Sequence, residues 1–475
     1  MRDRNIKKNI MYSAVFLFLC FGVLVIYITY LQVFESNTLA NNPLNMRTFQ
    51  MEKGIQRGTI LDCTGKKIAF SNRIKTDSYH RVYPYADVMA PVSGYLGKTI
   101  GNAGIEGYAN AALSGQNNSW KQLGPIAQLF PSERGNDVKL TINADVQKKA
   151  YNALGNRKGA IVVLNSKTGA VIAMVSRPSF DPNTVEADWG TLIQNKDGLL
   201  LNRVSQGLYP PGSTIKPMIA DAALKEKVTD QQEIFDCKGF LKIDDSYTLH
   251  ESHNEVHGLV NLREALTVSC NTAFATLAMR LGESNLEKTF KRFGFAKKID
   301  NEIAEASIQL PQFSKLSEGE ICQVGIGQST VLVTPLRMAM LASAFANQGK
   351  IMKPYLIDEI ISPSGVIINR SKNEVWLEAT TAERANIIHG FMDNVVVNGT
   401  GRAAFVKGVD VAGKTGTAEN SSGEDHAWFI GSAKLPKEDI SFAIIIENSG
   451  GGGTEAAPIA KELIMNMLNT EEVAS

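Results

Sequence analysis

Tyr209-Pro-Pro-Gly-Ser-Thr-Ile-Lys216 is the stretch from which the rest of the chain can be read. Pro210, Pro211 and Gly212 close an irregular segment. Ser213 then falls at the start of a helix predicted to run on through Ala220-Asp-Ala-Ala-Leu224. Residues three apart share a helical face, which puts Lys216 beside Ser213. A serine hydroxyl is a poor nucleophile until a base takes its proton. A lysine can be that base only where burial or a second cation lowers its pKa. The helix N-terminus adds a preference for developing negative charge. Alone, the segment equally describes an N-cap serine followed by a surface lysine.

Two further motifs change that balance. Ser269-Cys270-Asn271 ends the run Leu266-Thr-Val-Ser269. Here Ser269 is a candidate proton relay between Lys216 and a leaving group, and Asn271 a candidate holder of a substrate amide. Lys414-Thr415-Gly416-Thr417 lies in Val411-Ala-Gly-Lys-Thr-Gly-Thr-Ala418. Gly413 and Gly416 let a ligand approach the backbone closely. Lys414 supplies positive charge, and Thr415 and Thr417 offer hydroxyls to a carboxylate. On an edge strand this segment would bind an extended peptide by strand addition; otherwise it is simply a polar edge strand. Ser269 follows Lys216 by 53 positions, and Lys414 follows Asn271 by 143. The order S-x-x-K, S-x-N, K-T-G is a known catalytic motif set of serine acyl-transfer enzymes.

Hydrophobic patterning places these motifs in a fold. Val138-Lys-Leu-Thr-Ile142 reads as a strand, followed by a helix near 144–154. Gly159-Ala-Ile-Val-Val-Leu164 and Ala170-Val-Ile-Ala-Met-Val175 are two buried strands joined through Gly169 as a hairpin. Ala427-Trp-Phe-Ile-Gly431 and Ile440-Ser-Phe-Ala-Ile-Ile-Ile446 are two more, and 455–468 is an amphipathic helix. Strands at both ends with helices between imply one sheet assembled from distant segments. Residues 35–137 are less regular, with short strands at Gly58–Asp62 and Lys67–Phe70 around a turn at Thr64-Gly65, and no catalytic spacing.

The N-terminus differs from all of this. Arg2, Arg4, Lys7 and Lys8 precede 26 residues, Asn9–Phe34, without a charged side chain. A bilayer-spanning helix needs about 20 apolar residues, whereas the apolar core of a signal peptide has about 7–15. An uncleaved anchor is therefore expected, with Tyr27 and Tyr30 near one interface. The positive-inside rule leaves residues 1–8 in the cytoplasm and the chain beyond about residue 35 outside.

Composition bounds the rest. The 475 residues carry 49 Lys+Arg against 48 Asp+Glu, a net charge of +1, which argues against a general nucleic-acid binder. At 44% hydrophobic and 20% charged residues, the chain is globular rather than disordered. Cys63, Cys237, Cys270 and Cys322 are scattered without a CxxC, so no disulfide framework is indicated. One cluster draws notice: His250-Glu-Ser-His253-Asn-Glu-Val-His257, with Cys237 ahead of it. A cysteine and two or three histidines at this spacing suit a closed, structural Zn²⁺ site that would brace the loop before Ser269; a polar surface loop is the plainer alternative.

With the three motifs in this order, the chain resembles a class B, monofunctional penicillin-binding protein, a peptidoglycan D,D-transpeptidase. The resemblance runs nearly the whole length. It includes Asn42-Pro-Leu-Asn-Met-Arg47, Arg57-Gly-Thr-Ile-Leu-Asp62, Ser176–Asn183, Gly325-Ile-Gly-Gln328, Val333-Thr-Pro-Leu336 and Gly450–Pro458. Cys63 stands where such proteins usually have Arg, and Cys270 fills the variable middle of the second motif.

The resemblance implies an α/β fold of the serine β-lactamase/transpeptidase type: a five-stranded antiparallel sheet, flanking helices and an all-helical subdomain. The expected divisions are a cytoplasmic tip at 1–8, a transmembrane helix at 9–34, a pedestal or dimerisation domain at 35–137, and a transpeptidase domain at 138–475. Ser213 would attack the penultimate D-Ala carbonyl of a stem peptide ending D-Ala-D-Ala, and Lys216 would take its proton. The backbone N–H groups of Ser213 and Thr417 would hold the oxyanion. Ser269, near Lys414, would protonate the departing D-Ala. Thr415, Gly416 and Thr417 would bind the terminal carboxylate end, and Asn271 the peptide. An amine from a neighbouring stem peptide would then resolve the acyl-enzyme.

No cofactor is required for this chemistry; the zinc reading, with Cys237, His250, His253 and His257, is separate from it. The implied partners are stem peptides, β-lactams, the bacterial plasma membrane and a lipid II-polymerising glycosyltransferase, and no nucleic acid. A bifunctional enzyme is excluded, because residues 35–137 cannot hold a glycosyltransferase domain. A D,D-carboxypeptidase, a membrane-bound β-lactamase or sensor, and a non-catalytic scaffold are the alternatives.

Overall fold

The described residues of the computed structural model are 2–35, 55–75, 78–115, 134–245, 247–420 and 423–473. The Asn42–Arg47 segment lies outside them. Continuous β-branched and aromatic runs make the central sheet. Its strands lie in the order Asp410–Ala418, His426–Lys434, Asp439–Ile446, Gly159–Asn165, Val171–Arg177, all antiparallel. The hairpin between the last two is closed by Gly169 at φ 83° and by the Asn165 carboxamide oxygen, which accepts the N–H groups of Lys167 and Thr168 at 3.0 Å. Strands near both ends of the chain thus become neighbours, with Ile446 opposite Gly159.

Because the inner strands are apolar on both faces, both faces need covering. Ala144–Leu154 and Ala456–Val473 pack on one side, where Phe429 and Phe442 stack at 6.0 Å. The helix Pro335–Ala346, buried almost throughout, covers the other side and continues into the core of the helical half. That half contains the helices Lys216–Lys225, Leu262–Thr267, Asn271–Arg292 and Glu318–Gly325. It is not purely helical as expected. Two ribbons interrupt it, Ile234–Cys237 with Gly258–Asn261 and Phe240–Lys242 with Thr248–His250.

A second, six-stranded sheet crosses the expected division at 137/138. Ile60–Leu61, Lys67–Lys75 and Ser78–Val82 come from the N-terminal region. They join Asp137–Leu140 and the hairpin Ile357–Ile361/Ile367–Arg370. The Arg57–Asp62 motif explains the join. Gly58 lies so close to Asn136 that a Cβ there would stand 1.8 Å from its carbonyl oxygen. Asp62 accepts the N–H groups of Thr64 and Lys66 at 2.8 Å, closing the turn, and that of Ala144 at 3.0 Å, at the start of the next helix. Arg57 and Arg81 each donate to the buried Glu106 carboxylate at 2.6 Å. Burial alone would raise the Glu106 pKa, but the two guanidiniums outweigh it and hold the group ionised below its ordinary value.

Lys8–Tyr30, with mean hydropathy 2.4, is long and apolar enough to cross a membrane. It lies in the helix Arg2–Tyr30, which passes into a wider turn at Leu31–Glu35.

Replacing Glu106 by Gln leaves two buried arginines short of a counter-charge. Breaking a buried pair in this way costs about 3–5 kcal/mol. Urea unfolding of the E106Q chain, followed by fluorescence, should show a loss of that order. An unchanged midpoint would mean that the cluster does not hold the N-terminal sheet in place.

Candidate active site

Ser213 sits in the 3₁₀ turn Gly212–Ile215, one turn ahead of the helix that begins at Lys216. The α-helix starts later than the sequence reading expected, and Pro217 accounts for part of this: lacking an N–H, it suits a first helical turn. Several contacts pin the turn. Gly212, at φ 54°, donates to Gly327 O at 2.8 Å, and Trp428 Nε1 donates to Pro210 O at 3.0 Å. Thr214 Oγ1 donates to Pro211 O at 2.6 Å. The Ser213 hydroxyl has no hydrogen-bond partner among the described residues and opens on a cleft of about 820 Å³.

Lys216 is fully buried. Its Nζ donates to Ser269 O at 2.6 Å and Asn271 Oδ1 at 2.7 Å, with Ser269 Oγ at 3.3 Å. Lys414, equally buried, reaches the same hydroxyl from the sheet side: Nζ donates to Ser269 Oγ at 2.8 Å and to Thr415 O at 3.0 Å. Ser269 therefore lies between two lysine nitrogens, on a residue whose φ of 63° swings the chain into the helix Asn271–Arg292. Burial pulls the Lys216 pKa down to about 8, against the opposing pull of Glu251. Burial first, and then the Lys216 charge, lower Lys414 well below its ordinary value.

The third motif lies on the outermost strand of the five-stranded sheet, so its outer backbone groups face the cleft rather than another strand. Gly416 is required there, since a Cβ would stand 2.7 Å from Thr214 Cγ2. Thr415 Oγ1 lies 2.6 Å from Thr400 Oγ1, and Thr417 is exposed on the cleft. Ser213, Ser269, Asn271, Thr415, Gly416 and Thr417 all line one cavity.

Beneath the Ser213 turn is a network that no spacing announced. Tyr209 OH donates to Glu447 Oε1 at 2.7 Å, and Arg203 Nε donates to the same oxygen at 2.8 Å. Tyr209 also packs edge-on against Trp428 and His426. Glu447 lies 238 positions from Tyr209, so only the closed sheet brings them together.

The metal reading needs correcting in its membership. The structure groups Cys237, Glu251, His257 and Cys270, whose candidate ligand atoms all lie within 4.8 Å of one another. His250 and His253 are outside the group. Along Thr248–Glu251 the side chains alternate, so Leu249 and Glu251 turn inward and His250 outward. His253 is exposed on a left-handed turn. Cys237 Sγ lies 3.4 Å from His257 Nδ1 and 3.5 Å from Glu251 Oε1, and Cys270 Sγ lies 3.2 Å from that oxygen. Glu251 also accepts the N–H groups of Asn271 and Thr272 at 2.7 Å, capping the helix that carries Asn271. Burial works to raise its pKa, but these two N–H groups and Lys216 lower it on balance.

Comparison with known proteins agrees with this geometry. Residues 159–465 match the model of the penicillin binding protein transpeptidase domain, and residues 57–130 that of the penicillin binding protein A dimerisation domain. The chain is 31% identical to the peptidoglycan D,D-transpeptidase MrdA of Acinetobacter baumannii, over 82% of this chain and 66% of that protein. It is 31% identical to the peptidoglycan D,D-transpeptidase PbpA of Mycolicibacterium smegmatis, over 92% of this chain and 94% of that protein. The ceftriaxone acyl-enzyme of penicillin-binding protein A from M. tuberculosis superposes with a TM-score of 0.81 at 29% identity, covering 88% of this chain and 99% of that one. With a family match over most of its length and a serine flanked by paired lysines in the matching cleft, the chain belongs to the penicillin-binding protein transpeptidase family.

Proposed function

We propose that the chain is a peptidoglycan D,D-transpeptidase that crosslinks stem peptides through an acyl-enzyme on Ser213 and is inhibited by β-lactams. The observation that carries this reading is the Ser269 hydroxyl held between Lys216 Nζ and Lys414 Nζ at the cleft that Ser213 faces. Ser213 Oγ attacks the penultimate D-Ala carbonyl, and neutral Lys216 takes its proton. The backbone N–H groups of Ser213 and Thr417 receive the oxyanion; loss of one such donor typically costs about 10²–10³ in rate. Ser269, supplied from the lysine pair, passes a proton to the departing D-Ala. Thr415 and Thr417 hold the terminal carboxylate, and Asn271 the peptide. Residues 138–475 form the acylating domain and 35–137 the pedestal. The helix Lys8–Tyr30 anchors the protein in the plasma membrane with residues 1–8 cytoplasmic, where a lipid II-polymerising glycosyltransferase supplies glycan strands.

No cofactor enters these steps. The Cys237, Glu251, His257 and Cys270 cluster suits a structural Zn²⁺. Two thiols, an imidazole and a carboxylate are zinc donors, and bonds of about 2.0–2.3 Å in a tetrahedron separate the donors by roughly 3.3–3.8 Å. Three of the separations, 3.2–3.5 Å, are close to this, and all the donor atoms lie within 4.8 Å of one another. Glu255 Oε2, 3.5 Å from His257 Nε2, would orient the imidazole. Bound there, the ion would fix the segment on either side of Cys270 without touching the reacting atoms.

Fluorescent penicillin should label the wild type and leave Ser213→Ala unlabelled; full labelling of the variant would sink the acyl-enzyme assignment. Crosslinked dimer, rather than free tetrapeptide acid, should dominate the products from stem pentapeptide. A dominance of free acid would make the protein a carboxypeptidase.

Only neutral Lys216 can accept the Ser213 proton. The acylation rate at limiting penicillin should therefore rise with pH, level off above an apparent pKa of about 8, and fall tenfold per unit on the acid side. A flat profile between pH 6 and 9 would remove Lys216 as the base.

Purified protein should carry about one zinc per chain, reduced in Cys237→Ser and retained in His250→Ala. Metal below about 0.2 equivalents, with stability indifferent to chelator, would end the zinc reading.

A further inference from the structure

The cleft has a cation that these roles do not use. The chain leaves the helix Ala382–Asn398 at Gly399 and turns toward the strand Asp410–Ala418. The turn is clamped on both sides. Thr400 N donates to Thr267 O at 3.3 Å, and Thr400 Oγ1 lies 2.6 Å from Thr415 Oγ1. A Cβ at Gly399 would stand 2.3 Å from Thr267 O, and one at Gly453 would stand 2.7 Å from Thr400 O. Two residues after Thr400, Arg402 is exposed and lines the same cleft as Thr415. Its guanidinium makes no ion pair and no side-chain hydrogen bond among the described residues. By contrast, Arg57, Arg81, Arg203, Arg292, Arg337 and Arg384 each face a carboxylate. A guanidinium offers a planar fork that matches a carboxylate.

What should sit there follows from the direction of the reaction. The departing D-Ala is an α-amino acid, so its carboxylate lies one carbon from the leaving nitrogen. Aminolysis of the acyl-enzyme is acylation run backward, and the attacking amine must occupy the place the leaving amine vacated. Substituents on its α-carbon then fall where the D-Ala carboxylate lay, beside Thr415. We propose that Arg402 makes this position a carboxylate subsite for the acceptor as well as the leaving group. It thereby selects acceptor amines borne on a carbon that also carries a carboxylate, over side-chain amines that lack one.

In the step itself, the amine nitrogen bonds to the acyl carbon and the bond from that carbon to Ser213 Oγ breaks. The amine's proton passes to Ser213 Oγ and restores the hydroxyl. An acceptor without the carboxylate would leave Arg402 facing uncharged atoms after losing water, with nothing in return. The inference rests on the transpeptidase reading above and names its acceptor class.

The test uses the full chain, acylated by a peptide thioester whose thiol leaving group is neutral, so that the donor does not engage the subsite. The acyl-enzyme is offered D-alanine or D-alaninamide at equal concentrations of free amine, and aminolysis and hydrolysis products are counted by mass spectrometry. A charge-assisted hydrogen bond of ordinary strength predicts about ten- to hundredfold preference for D-alanine in the wild type. The preference should fall to within about threefold in Arg402→Gln and be intermediate in Arg402→Lys. The readout is a ratio of products from one acyl-enzyme, so slower acylation of a variant does not enter it. Equal capture of both amines by the wild type, or a wild-type ratio in Arg402→Gln, would overturn the proposal. Failure of the wild type to form any acyl-enzyme would instead overturn the parent reading.

Discussion

Two lysine nitrogens converge on one serine hydroxyl, and most of the structure can be understood as what that convergence requires. An ammonium is costly to bury, and two beside each other are costlier. The site meets this with acceptors rather than with a contacting carboxylate: Ser269 O and Asn271 Oδ1 for Lys216, Thr415 O for Lys414, and the hydroxyl between them. The residual penalty depresses both pKa values. Burial of these two cations detracts from stability.

Keeping the three motifs in register demands rigidity on every side. Ser213 is held through its own turn, through Trp428 at Pro210, and through Tyr209 on Glu447. Ser269 is held by its left-handed backbone and by Glu251, which caps the following helix. Lys414 is held by a strand paired along its full length to His426–Lys434. The same strand is outermost in its sheet, so one element both anchors the cation and presents its outer edge to the cleft. The N-terminal region is tied in by backbone pairing and by the buried Arg57, Arg81 and Glu106 cluster.

Much of this was legible in local pattern. The hairpin at Gly169, the helix at 144–154, the two apolar strands near the C-terminus and the apolar N-terminal helix all declare themselves by periodicity, because burial on one face or both leaves a local record. The motif residues Ser213, Ser269, Asn271, Thr415, Gly416 and Thr417 were expected to gather, and they line one cavity. What failed was the membership of the Cys237 cluster. Proximity in sequence favoured His250 and His253, but strand alternation turned Glu251 inward, and the chain reversal through the paired ribbons brought in Cys270. The purely helical character expected of one half failed likewise, since short ribbons carry too few residues for a clear period.

The sequence by itself determined which elements form and which functional groups are present, since both depend on residues within a few positions of one another. Tertiary structure alone decided which groups meet: Lys216 with Lys414 across Ser269, Glu447 under Tyr209, Arg402 and Thr415 on one cleft. Those meetings depend on strand order and on where glycines allow backbones to touch. Such distances are set by packing of the whole chain, and no local period records them.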